Sequence, residues 1–223
     1  MLILDIAIFQ PNQFSDERTH TKMKSLITLA LLCLVTTLTS AQAPLRDLTL
    51  EVSQGRVELR SLTGNGSSSG AAIEGELTNL SSNTIAVSVN LAEPIFLVNN
   101  GSAQNMVVSA IYPASGSYRR DSRGSFLQIG AKASIRVILI AYCADFEKEN
   151  PGSQDRFQLS PLPENLRPVM RKILNYARRS PDQDITGAAQ AALWIVQGVD
   201  VTEIRRRFPV SVADERLARS FLQ

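Results

Sequence analysis

The sequence predicts an α+β protein, with an antiparallel β-sandwich followed by a small carboxy-terminal helical subdomain. Three observations support this prediction. Short segments between about residues 45 and 143 alternate apolar and polar residues, the period of a strand with one buried face. Turns rich in glycine and asparagine separate these segments at regular spacing. From about residue 164 onward, apolar residues recur at three- and four-residue spacing, which is typical of helices.

The amino-terminal region predicts a secretory signal that begins at Met23. A lysine follows the methionine, and residues 26–35 form an apolar segment too short for a permanent membrane helix. A small-x-small cleavage site then predicts cutting after Ala41 or Ala43. Residues 1–22 contain several acidic side chains, so we interpret them as a mis-annotated leader or, alternatively, a long unusual one. The expected location is secreted, periplasmic or cell-surface, with no membrane-spanning segment after signal removal.

Removal of the signal limits the chemistry of the mature chain. It leaves about 180 residues, enough for one domain with a sizeable core or for two small ones. The only histidine is His20, and Cys143 is the only cysteine after the signal. Histidine-dependent catalysis, histidine-ligated metals and an internal disulfide are therefore not expected. The formal net charge of +2 is too balanced to favour a nucleic-acid partner.

The sandwich is assigned to residues 44–143. The stretch from Ile73 to Leu80 is similar to a strand and turn common in immunoglobulin-like bacterial exported domains, which implies an immunoglobulin-like sandwich. The predicted strands are Leu48–Val52, Arg56–Arg60, Ala72–Leu77, Thr84–Leu91, Ile95–Val98, Met106–Tyr112, Phe126–Ile129 and Ser134–Tyr142.

A linker is predicted over residues 144–163 and four helices over residues 164–223. The first helix carries an apolar stripe from Leu166 to Ala177, with a proline in its first turn. The second covers Ile185 to Val196 and ends near a glycine. A short third helix begins with Asp200 or Thr202 as its cap, and Ser211-x-x-Asp214 predicts the start of the fourth.

Two segments contain residue types that are capable of chemical reactions. Cys143 follows the most apolar predicted strand, and it is either a buried core residue or a functional thiol in an exported protein. Gln190 lies in an alanine-rich helix four residues before Trp194, the only tryptophan. The simpler interpretation of this helix is close packing around a tryptophan anchor, although a buried glutamine then needs hydrogen-bond partners.

Together, Tyr142-Cys143 and the segment from Gln190 to Trp194 resemble bacterial surface thioester domains. The resemblance implies that the Cys143 thiol and the Gln190 side chain condense to an internal thioester, with Trp194 packing the site. Such a bond reacts with a nucleophile, usually an amine, on a neighbouring surface. Ala189 stands where the family usually has threonine, so a relative that keeps the fold without the bond is an alternative.

Three functions follow from these patterns. The first is a non-catalytic binding or adhesion-type module for an unknown surface protein or polymer, with no cofactor or metal. The second is a single-turnover covalent adhesin that uses a Cys143–Gln190 thioester. The third is a carboxylate-based hydrolase of envelope polymers, for which Asp145, Glu147 and Glu149 are the candidates.

Overall fold

A computed structural model describes residues 43–116, 118–121 and 124–223. The predicted leader and nearly all of the predicted signal segment, residues 1–42, lie outside the described residues. Residues 43–223 belong to a single compact unit. The strands are β1 (Leu45–Arg46), β2 (Val57–Gly64), β3 (Ser69–Asn79), β4 (Ile85–Ser88), β5 (Asn90–Asn99), β6 (Met106–Pro113), β7 (Arg119–Asp121), β8 (Gly124–Ile129), β9 (Ser134–Cys143) and β10 (Phe157–Ser160). The helices are α1 (Leu48–Ser53), α2 (Arg167–Arg179), α3 (Thr186–Ile195), α4 (Val201–Arg207) and α5 (Val212–Leu222).

The strands form two sheets. The smaller sheet has the order β1-β4-β8-β7, and the larger has the order β10-β5-β6-β9-β3-β2. Neighbouring strands are antiparallel, except that β1 runs parallel to β4. With the five helices of the described residues, this confirms the α+β prediction and a body made mostly of antiparallel sheet.

One hydrophobic core contains residues of both sheets. Val87 and Ile129 of the smaller sheet and Leu77 and Leu139 of the larger sheet belong to the same buried cluster. Full burial of such a side chain contributes roughly 1.5–3 kcal/mol relative to leaving it exposed. Successive side chains of a strand point to opposite faces of its sheet. The alternation of residues in the sequence therefore determines which side chains enter this core.

The prediction of a strand at Leu48–Val52 was wrong, because this segment is helix α1. Asp47 caps the helix, and its carboxylate accepts a hydrogen bond from the Leu50 N–H at 2.9 Å. The buried residues are Leu48 and Glu51, three positions apart on one helical face. The alternation of apolar and polar residues in this segment suggested a strand with one buried face. Leu50, however, is 51 % exposed and does not belong to a buried face.

One other strand prediction and the linker prediction also differ from the structure. The single strand predicted over Thr84–Leu91 is two strands in different sheets, β4 and the start of β5, joined at Val89. Strand β10 lies within the predicted linker and pairs with β5, from Phe157 opposite Asn99 to Ser160 opposite Phe96. A four-residue strand gives too short an alternation to be separated from a loop by pattern alone.

The four carboxy-terminal helices agree with the predictions. Pro168 lies in the first turn of α2, and the Asp200 side chain caps α4. Ser211 and Asp214 form a capping box at the start of α5. Helices α2, α3 and α5 share a second apolar cluster with Phe96, Val107 and other residues of the larger sheet, so they cover one of its faces.

An ion pair between the buried carboxylate of Glu51 and the partly exposed guanidinium of Arg56 joins α1 to the start of β2. Glu51 is 2 % exposed, and both its oxygens accept hydrogen bonds from the Arg56 guanidinium at 2.6 Å. These hydrogen bonds hold the pKa of Glu51 below its ordinary value of 4.5, against the opposing effect of burial. The interaction therefore stabilises the fold above that value and is lost as pH falls through the lower pKa of the folded state.

We expect Glu51→Gln to lower the free energy of unfolding by about 1.5–3 kcal/mol at neutral pH, since hydrogen bonds to a charged group are lost. The difference from wild type should shrink as the pH falls below 4.5, where the wild-type carboxylate becomes protonated. Urea unfolding of the wild type and the variant, at neutral pH and again below pH 4.5, measures this difference. Glu58→Gln is the control, because Glu58 forms an ion pair with Arg60 in which both side chains are exposed. A difference that does not change with pH would contradict the account.

Candidate functional site

Cys143 is the last residue of β9, and its side chain enters the core between the sheets. Its register partner is Met106 of β6, and its Sγ lies 3.6 Å from the Met106 Sδ. No part of Cys143 is exposed. Burial raises the pKa of the thiol far above its ordinary value, and the negative charge of Asp145 adds to this effect. The thiol is therefore protonated and weakly nucleophilic at neutral pH.

Gln190 reaches the same place from α3. Every residue from Ala188 to Trp194 is buried, and most of them are alanines, whose small side chains allow a helix to approach a sheet closely. The Gln190 Oε1 accepts a hydrogen bond from the Cys143 N–H at 2.8 Å. The Gln190 Nε2 donates to the Cys143 carbonyl oxygen, also at 2.8 Å. Gln190 thus pairs with the main chain of Cys143 in the manner of a neighbouring strand.

The structure brings together the two residues that the resemblance named, 47 positions apart in sequence. The contact is between a carboxamide and the main chain, while the thiol contacts Met106. The Cys143 N–H also donates to the Ser68 carbonyl oxygen at 3.1 Å, so this donor is shared. In this arrangement the pair joins α3 to the end of β9 and satisfies the polar groups of a fully buried glutamine.

Trp194 lies one helical turn after Gln190 and belongs to the same apolar cluster as Cys143. It is 3 % exposed and packs edge-to-face against Phe146, with ring centroids 5.1 Å apart, and against Phe208, at 5.5 Å. The Arg207 guanidinium carbon lies 4.8 Å from the centroid of the Phe146 ring. Neither phenylalanine could be assigned to this site from the sequence, because they come from separate segments that meet only around this tryptophan.

The three carboxylates named for a hydrolase lie on the segment after β9. Asp145 accepts a hydrogen bond from the Asn105 N–H at 2.8 Å and forms an ion pair with Lys148 at 3.3 Å. Glu147 is paired with Arg207 at 3.1 Å, and Glu149 is exposed. None of these three carboxylates belongs to the lining of either of the two clefts described below.

A cleft that the sequence analysis missed lies beside the helices on the covered face of the larger sheet. Three tyrosines line it, so we call it the tyrosine cleft: Tyr112 of β6, Tyr142 of β9, and Tyr118 from the segment before β7. Its volume is about 310 Å³. Charged side chains of both signs also line it, from the β7–β8 hairpin, the end of α2 and the loop before α3: Arg120, Arg178, Asp182 and Asp184.

A second, larger groove of about 670 Å³ lies along β8, β9 and the segment after β6. Arg119 and Arg136 line it together with small polar residues, and none of the described lining residues is acidic. Both grooves are built from side chains of separate strands, and no sequence spacing links these residues.

Residues 43–116, 118–121 and 124–223 contain no group of three or more histidine, cysteine, aspartate or glutamate side chains placed to hold a metal ion. None of the helices in these residues is long and apolar enough to cross a membrane.

Comparison with known proteins gives no match: no family model fits the chain, and no curated protein or solved structure is significantly similar to it.

Proposed function

We propose that this chain is an exported, non-catalytic binding or adhesion-type module, built on an immunoglobulin-like sandwich, whose partner is a surface protein or polymer. The tyrosine cleft is the observation that carries this proposal. It is concave and open, and it combines aromatic rings with charged groups of both signs. Ligand sites in proteins are commonly clefts of this kind, formed where separate layers of structure meet.

The state of the Cys143–Gln190 pair supports a non-catalytic role. A nucleophilic cysteine needs an accessible thiolate, whereas Cys143 is fully buried and its pKa is raised. The carbonyl and amino groups of Gln190 are both engaged by the Cys143 main chain. The pair therefore serves the fold, and the solvent-facing clefts are the surfaces that meet a partner.

Export is proposed from the sequence of residues 23–43, which has the basic start, short apolar segment and small-residue cleavage site of a secretory signal. Secretion, a periplasmic location or display on the cell surface would all give the binding module access to envelope or external partners.

A second candidate function is a covalent adhesin, favoured by the meeting of Cys143 and Gln190 beside Trp194. The Cys143 sulfur would bond to the Gln190 Cδ while the Cδ–Nε2 bond breaks, and ammonia would leave with the thiol proton. An amine on a partner would then attack the Cδ, form an amide and release the thiol. The contacts in the structure oppose this step, because the thiol is protonated and both amide hydrogen bonds must break first.

Amine incorporation separates the two functions. The purified mature chain is incubated natively with a fluorescent primary amine, denatured in detergent and run on a gel. We expect no covalent label in the wild type or in the Cys143→Ala and Gln190→Ala variants. Label in the wild type that disappears in both variants would establish the covalent adhesin and overturn the non-catalytic function.

A further inference from the structure

We propose that the tyrosine cleft binds a neutral saccharide chain, an inference that rests on the proposed binding function and names its ligand class. The cleft lies where the helical layer stops covering the larger sheet. The sheet contributes its floor through Ser109, Ile140 and Tyr142, and the loop between α2 and α3 and the β7–β8 hairpin contribute its walls.

Aromatic rings suited to a sugar line the cleft. The ring centroids of Tyr112 and Tyr118 lie 5.5 Å apart at an interplanar angle of 66°. Tyr118 is 41 % exposed although it is a large side chain, so its ring is open to a partner. A sugar ring has a face of C–H groups, which packs against the electron-rich face of an aromatic ring and leaves the hydroxyls free at the edge.

Polar groups suited to those hydroxyls line the same cleft. Arg120 and Asp182 are both exposed, and neither forms an ion pair with any side chain that the structure describes. Asp184 is ionised and fixed, because the Thr186 N–H donates to its carboxylate and lowers its pKa. A guanidinium offers paired donors and a carboxylate offers paired acceptors, which match neighbouring hydroxyls on a sugar.

The position of the cleft disfavours an extended peptide. A peptide that adds to a sheet needs the unpaired main-chain groups of an edge strand. The strands at the floor of the cleft, β6 and β9, lie in the interior of the larger sheet. In the wall of the cleft, β7 is an edge strand of the smaller sheet, but its three residues offer few unpaired main-chain groups. Recognition here therefore depends mainly on side chains.

The charge of the cleft disfavours an anionic polymer. Among the described lining residues, the positive charges of Arg120 and Arg178 are balanced by the negative charges of Asp182 and Asp184. A polyanion is attracted by a surplus of positive charge, which the described lining does not have. The volume of about 310 Å³ is at the small end for ligand clefts, so it suits about one or two sugar rings of a longer chain.

The test is binding of the mature chain to arrayed oligosaccharides, followed by titration of the strongest binder. The array holds neutral oligomers of glucose, galactose and N-acetylglucosamine, sulfated and uronate-containing oligomers, and peptides. Tyr118→Ala removes the exposed ring, and Asp182→Asn removes an exposed carboxylate of the cleft. Leu80→Ala is the matched control, since Leu80 is 40 % exposed and does not line the cleft.

We expect the wild type to bind neutral oligosaccharides. Tyr118→Ala should weaken this binding at least about tenfold, the effect typical of an aromatic residue that dominates a binding site, whereas Leu80→Ala should leave it unchanged. Asp182→Asn should also weaken it. Binding to anionic oligomers alone, or neutral binding that Tyr118→Ala does not change, would overturn the inference. Binding to peptides alone would overturn the saccharide class and leave the proposed binding function intact. Amine incorporation by the wild-type chain would instead overturn the proposed function.

Discussion

Trp194→Ala is expected to lower the free energy of unfolding by about 3–5 kcal/mol, the cost typical of removing a buried aromatic ring from a core. Trp194 is 3 % exposed and packs edge-to-face against both Phe146 and Phe208. The substitution leaves a cavity where the segment after β9, helix α3 and the end of α4 meet. It therefore affects the same junction that Gln190 holds from one helical turn away.

Urea unfolding followed by circular dichroism measures this change, because the variant has no tryptophan for fluorescence. Trp194→Phe should cost less, since an aromatic ring remains to contact Phe146 and Phe208. Val212→Ala is the control, because Val212 is 67 % exposed and its loss should change stability by no more than about 0.5 kcal/mol. A Trp194→Ala variant that unfolds like this control would refute the role of Trp194 as a core anchor.

Gln190→Ala is expected to lower the free energy of unfolding by about 2–4 kcal/mol. The change removes two hydrogen bonds of 2.8 Å, leaves the Cys143 carbonyl oxygen without its Gln190 partner and opens a small cavity. The Cys143 N–H keeps the Ser68 carbonyl oxygen as an acceptor, which limits the cost. Gln190→Glu keeps the size of the side chain but places a carboxylate beside the Cys143 carbonyl oxygen, which it cannot hydrogen-bond when ionised. This variant should therefore also destabilise the fold.

The matched control for Gln190 is Gln197→Ala. Gln197 is an exposed glutamine just after α3 whose Nε2 donates to the Leu193 carbonyl oxygen at 2.6 Å. Its substitution should change stability by no more than about 0.5 kcal/mol. Similar unfolding midpoints for Gln190→Ala and Gln197→Ala would show that the pairing with Cys143 does not hold the fold together.

Local signals explain how much of the fold the sequence predicts. Caps and apolar stripes lie within a few residues of each other, so the starts of α4 and α5 at Asp200 and Ser211 could be predicted. Helix α1 has only six residues, and its buried Glu51 depends on Arg56 and Arg46, outside the helix. A pattern that scores apolar residues cannot identify a helix whose buried face contains a paired carboxylate.

The site was predictable only in part for the same reason. The resemblance to thioester domains named Cys143 and Gln190, and the structure places them in contact. That Gln190 pairs with the main chain depends on how closely α3 approaches β9, which is a tertiary property. The tyrosine cleft could not be predicted from the sequence at all. Tyr112 and Tyr142 come from different strands and become neighbours only through the pairing of those strands in the sheet.

We interpret the Cys143–Gln190 contact as a non-covalent interaction that joins helix α3 to strand β9 in a reversible binding module. The most direct test is the intact mass of the denatured mature protein together with its count of free thiols. We expect the mass of the unmodified chain and one titratable thiol, from Cys143. A mass lower by one ammonia, with no thiol until an amine is added, would contradict it.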